Sequence, residues 1–78
     1  MSVRIKLIFP EQLVREPIIA KMVREFDVEP NIRRASVEDH YGWIILELNG
    51  QAADIDSAIA WLGTVGVTVE LIDGGLES

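Results

Sequence analysis

An α+β domain in the order β-α-β-β-α-β, one four-stranded antiparallel sheet carrying two helices on a single face, is the fold this 78-residue sequence predicts. Three observations predict it. Four segments alternate apolar and polar residues with a period of two. Two further segments repeat apolar residues at i, i+3, i+4 and i+7. All three prolines fall between these segments.

The first strand is "VRIKLIF", with Val3, Ile5, Leu7 and Phe9 on one side and Arg4, Lys6 and Ile8 on the other, ended by Pro10. A polar loop, "EQLVRE", leads to Pro17, which suits a first helical position because its missing N–H costs nothing there. The helix that follows carries a stripe of Ile19, Met22, Val23 and Phe26, and Pro30 is read as closing it. From Asn31 the period returns to two, with Ala35 and Val37 facing one way and Arg34, Ser36 and Glu38 the other. "EDHYG" reads as a tight hairpin connection in which Gly42 takes positive φ. The third strand, "WIILELN", points Ile44, Leu46 and Leu48 inward and Trp43, Ile45 and Glu47 outward, and is apolar enough for a central place. The second helix repeats the spacing with Ile55, Ala58, Ile59 and Leu62; Asp54 and Asp56 stand in its first turns, and Gly66 stops it. "VTVELI" is the fourth strand. Residues 1–73 thus form one domain and 74–78 a loose tail. Two interlocked, right-handed βαβ units give a ferredoxin-like split sandwich, first and third strands central.

Such a sheet leaves one face open. Arg4 and Lys6 should meet Glu47 and Glu70 there in ordinary cross-strand pairs. Ile8, Trp43, Ile45 and Ile72 are four large apolar side chains on the same nominally wet face, which predicts a contact surface and a homodimer.

Bulk composition narrows the function. A chain this short buries only about 60% of its unfolded surface, yet 49% hydrophobic and 26% charged residues describe a folded protein. With no cysteine, disulfides, thiolate metal sites and thiol nucleophiles are excluded. The net charge of −6 argues against nucleic acid. All seven basic residues precede Ala35, and only acids follow it, so the two halves either pair their charges or present an acidic face to a basic partner. Neither a signal peptide nor a membrane span is present in the pattern, and a cytoplasmic location without membrane insertion is expected.

Chemistry-bearing constellations are missing as well. His40 is a lone histidine in the hairpin connection, and no cluster of ligands suggests a metal. Asp54 and Asp56, two apart on a helix, diverge. Gly74 and Gly75 lie beyond the last strand and cradle no phosphate. Arg15 follows the first strand as in acylphosphatases, but without their glycine, and Trp43 alone does not make an RNA-stacking sheet. No enzyme and no cofactor are expected.

One stretch remains, "PNIRRASVE". With "LIF", "EPIIAKMVREFDV", "GWIILELNG" and "AIAWLGTVGVTVELI" in the same order, it resembles the NIL domain family over nearly the whole chain. That module is found at the end of the ATPase subunit of bacterial methionine importers, and in ferredoxin-associated and stand-alone proteins. The resemblance implies a fold like that of amino-acid-sensing ACT modules, pairing with a second copy, and methionine bound near the signature, where excess ligand inhibits transport. The signature asparagine and isoleucine are Asn31 and Ile32; at the third position leucine is replaced by Arg33. An amino acid needs partners for its ammonium and carboxylate plus an apolar slot. Asn31 offers donor and acceptor groups, and Arg33 or Arg34 a carboxylate partner. Equally concrete is a structural role, with Asn31 ordering the turn after Pro30 and the arginines protecting an edge strand. Two functions follow: a regulatory module binding an amino acid at a dimer interface, or a ligand-free interaction domain acting on a transport or sulfur-metabolism partner.

Overall fold

The computed structural model describes residues 1–72; the tail assigned to 74–78 lies outside the described residues. Its elements are β1 (Ser2–Pro10), a 3₁₀ turn (Glu11–Leu13), α1 (Ile18–Glu25), β2 (Val28–Val37), β3 (Tyr41–Gly50), α2 (Ala52–Thr64) and β4 (Thr68–Leu71). The sheet order is β2-β3-β1-β4, every neighbouring pair antiparallel. This is the predicted α+β, ferredoxin-like arrangement, with β1 and β3 in the middle.

Alternation decides which side of the sheet is dry. Val3, Ile5, Leu7 and Phe9 of β1 and Leu46 and Leu48 of β3 are buried. They meet Met22 of α1 and Ile55, Ala58 and Leu62 of α2 in one continuous core. Burying such side chains contributes about 1.5–3 kcal/mol each. Ile44 packs against the same core. The phase of β3 is therefore the predicted one, with Trp43, Ile45 and Glu47 on the open side.

Four local expectations are corrected. First, Pro30 does not close α1: the helix ends at Glu25, Phe26 is already extended, and β2 begins at Val28 with Pro30 inside it. An edge strand tolerates a proline because the absent N–H can face away from the ladder. Second, the buried stripe of α1 is rotated. Ile18 and Met22 are its buried residues, Ile19 and Phe26 pack at the margin of the core, and Val23 is 44% exposed. Pro17 caps the helix as the residue before it. Phe26, released from the helix, turns its ring to Trp61, 5.9 Å between centroids.

Third, Gly42 lies within β3 opposite Val37, and the positive-φ glycines among the described residues are Gly50 and Gly66. What Gly42 supplies is room, since a Cβ there would come 3.3 Å from the carbonyl oxygen of Ser36. The hairpin is closed instead by the N–H of Glu38 donating to the carbonyl of Tyr41, 2.9 Å. Fourth, β2 is not a regular strand. Its register against β3 shifts between Ile32 and Arg34, leaving Arg33 as the extra residue of a β-bulge. The end of α2 follows expectation: Gly66 has φ +106°, a left-handed conformation that glycine adopts without a Cβ penalty.

Candidate functional site

Two surfaces carry the sequence-predicted residues: the open face of the sheet and the free edge of β2. On the open face the register sets three central rungs between Tyr41 and Pro10 at one end and Glu29, Asn49 and Ser2 at the other. Ser36, Trp43, Ile8 and Thr68 make the first; Arg34, Ile45, Lys6 and Glu70 the second. The third joins Asn31, Glu47 and Arg4, and the Ile72 N–H donates to the Arg4 carbonyl at 3.1 Å. Ile8, Trp43, Ile45 and Ile72 are each half-buried, so this apolar patch is less bare than a sequence reading implies. Part of the reason is Lys6, whose Nζ stands 5.1 Å from the centre of the Trp43 ring.

Glu47 organises the third rung. Arg4 donates a hydrogen bond to one of its carboxylate oxygens, and the other lies 3.9 Å from an Arg33 guanidinium nitrogen. The hydrogen bond from Arg4 is the largest influence and holds the Glu47 carboxyl below its ordinary value; burial opposes it, and the charges of Arg4 and then Arg33 add to the lowering. The expected Arg4–Glu47 pair is thus present. Lys6 stands opposite Glu70 in register but is directed to Trp43.

The four signature candidates are divided by the sheet. Asn31, Arg33 and Arg34 are on the open side: Asn31 opposes Glu47, Arg33 reaches Glu47, and Arg34 opposes Ile45. Ile32 opposes Leu46 and so projects to the helix side, yet it is 54% exposed on this edge strand. All four are solvent-exposed, and a single chain does not gather them around a cavity.

A cavity of about 160 Å³ lies instead at the far end of β2, between the hairpin and the start of α1. Phe9, Val14, Ile18, Val37 and Ile44 line it, with Glu16 at its polar margin. Sequence reasoning missed it. Val37 is on the predicted inward phase, but it stands 68% exposed at the margin of this cavity, beside the start of α1. The free edge of β2 therefore runs from Asn31 and Ile32 at one end to Val37 and an apolar cavity at the other.

His40 Nδ1 lies 3.1 Å from a Glu11 carboxylate oxygen, which accepts when that nitrogen carries the proton, and the ring is exposed, as expected of a solvated turn residue. No group of metal-ligating side chains occurs among the described residues, and no described helix is long and apolar enough to cross a membrane.

An antiparallel four-stranded sheet with two helices on one face, the other face and the β2 edge uncovered by the described residues, defines the class as a small ferredoxin-like domain. The comparisons sharpen that class. The NIL domain family model matches residues 3–71, and the chain belongs to that family. It is 30% identical over 69 residues to the methionine import ATP-binding protein MetN of Helicobacter hepaticus, covering 83% of this chain and 20% of that protein. It is 32% identical over 78 residues to the protein of the same name from Symbiobacterium thermophilum, covering 95% of this chain and 24% of that one. The chain thus spans no more than about a quarter of the length of these relatives. Among solved structures it superimposes on the C-terminal domain of an ABC transporter ATP-binding protein from Enterococcus faecalis with TM-score 0.79 and 27% identity, covering 91% of this chain and 83% of that one. The de novo designed protein Ferredog-Diesel shares the fold at TM-score 0.54 and 16% identity.

Proposed function

We propose that this NIL domain is a regulatory ligand-binding module without catalysis of its own, sensing an amino acid such as methionine along β2 at a homodimer interface. The observation that carries the reading is the free β2 edge, with the signature at one end and an apolar cavity at the other. Antiparallel pairing of this edge with a second copy exchanges ends: Asn31 and Ile32 of one protomer approach the cavity margin of its partner. Unpaired backbone groups of both strands gain hydrogen bonds, and exposed Ile32 and Val37 are covered. An amino acid held there has backbone groups and Asn31 for its polar end and apolar side chains for its remainder. The relatives named methionine import ATP-binding proteins support methionine as the first ligand to try. They also support an ABC importer ATPase on the cytoplasmic side of a membrane as the setting. The Arg33 replacement widens the candidates, because it adds a carboxylate partner where the family has leucine.

Isothermal titration of the full chain with methionine, cysteine and homocysteine tests the reading. Saturable binding, weakened by Asn31→Ala, supports it; silence across the panel sinks it. A monomeric mass by light scattering at high concentration would remove the dimer. The second reading, a ligand-free interaction domain, draws on the open face rather than the edge.

A further inference from the structure

The free edge of β2 is regular only at its hairpin end. Beyond the bulge, Arg34 to Val37 pair with Ile45 to Gly42 of β3 without a break. The Glu38 N–H donates to the Tyr41 carbonyl, so the Glu38 backbone faces β3. Alternate residues of an antiparallel pair face the same neighbour. Ser36 and Arg34 therefore face β3 as well, and Ala35 and Val37 direct their N–H and C=O groups outward. At the other end the Gly50 N–H donates to the Met1 carbonyl, away from β2. Asn49 and Glu47 are left facing β2, and Pro30 between their partners faces outward, where it has no N–H to give.

We infer that two copies pair their β2 edges antiparallel about a two-fold axis at Ser36, a register that rests on the homodimer reading above. Ala35 then stands opposite the partner's Val37 on both sides of the axis, and each N–H donates to the other's carbonyl. Val37, 68% exposed in the single chain, is covered by the partner's Ala35. On the open side Arg34 meets the partner's Glu38, also twice, as an opposite-charge cross-strand pair between residues that are exposed in one chain. The partner's hairpin comes alongside Asn31 and Ile32, so the signature end of the edge is completed by a second chain. Other registers lose these contacts. An axis at Arg34 sets like charges together, and one at Ala35 puts Val37 against the bulged Arg33. An axis at Asn31 turns Ile32 to a proline that donates nothing, and one at Val37 runs the strand out into the turn. The β4 edge is a poorer seam. The Ile72 N–H donates to β1, so Val69 and Leu71 face outward, and the register that uses both sets Glu70 against Glu70.

The chain has no cysteine, so a single introduced thiol reports on one position. Opposed residues whose backbones face away from the shared seam lie about 4.5 Å apart at Cα, within disulfide reach. Under mild oxidation the full chain carrying Ser36→Cys is expected to run as a linked dimer on non-reducing gels, and Asn31→Cys or Glu70→Cys as monomer. In sedimentation equilibrium Arg34→Glu should raise the dimer Kd roughly tenfold, because both cross-strand pairs become repulsive. Adding Glu38→Arg should return it to within about threefold of the parent, a rescue that misfolding cannot imitate. A monomer at every concentration sinks the homodimer reading and the register together. A dimer linked through Asn31→Cys or Glu70→Cys but not Ser36→Cys overturns the register alone. So does a dimer that Arg34→Glu leaves unchanged, or that Glu38→Arg does not restore. Methionine titration is read separately, so the ligand can fail while the dimer stands.

Discussion

Leu46 and Ile45 are neighbours on β3 that the sheet sends to opposite sides, and truncating each in turn measures the asymmetry on which the site assignment rests. Leu46 is fully buried under the helices. Leu46→Ala leaves a hole in a close-packed core, and such changes cost about 2–5 kcal/mol, here taken as ~3. A domain of this length has a total stability of roughly 4–12 kcal/mol at the usual per-residue values. The variant therefore loses between a quarter and most of it, and its melting temperature should fall by about 12–24 °C. Ile45 is half-buried between Arg34 and Lys6 on the open face. Its truncation forfeits part of the ~1.5–3 kcal/mol of a full side chain and opens no cavity, for a loss near ~1 kcal/mol. Urea unfolding followed by circular dichroism, read at constant m value, separates the two. Equal losses, or a larger loss at Ile45, would refute the assignment of an open face.

Three other outcomes are expected. Because Glu47 has a lowered folded-state pKa, the stability it contributes is present above the unfolded value of 4.5 and is lost as pH falls through the folded value; Glu47→Gln should flatten that acid limb in a pH series of thermal melts. Gly42→Ala should destabilise by roughly 1 kcal/mol, since its Cβ would press on the Ser36 carbonyl, whereas Gly63→Ala meets nothing within 4 Å and should stabilise α2 by about 0.5–1 kcal/mol; chemical denaturation of both resolves the sign. His40→Ala should leave the melting temperature within about 1 °C, because its contact with Glu11 is exposed on both sides.

The site was less legible in the sequence than the fold, and Arg33 illustrates why. Alternation is a local property, so "VRIKLIF" and "WIILELN" could be phased by inspection, and helix spacing found Ile55, Ala58 and Leu62. The bulge is a property of two strands aligned against each other, and nothing within "NIRRAS" marks it. Pro30 misled in the same way. Its preference against a preceding helical residue is real, but the chain had already left the helix at Phe26, and the edge position removed proline's usual cost in a sheet.

What the residues alone determined was the element order, the two central strands, the dry side of the sheet and the family signature at Asn31 and Ile32. Periodicity and punctuation act between near neighbours in the chain, so they survive without a structure. Tertiary packing decided the rest: the exposure of Ile32 at one end of β2 and of Val37 beside a cavity at the other, and how one extra residue turned both arginines to the same face. These depend on distances between elements remote in sequence, which only the assembled sheet sets.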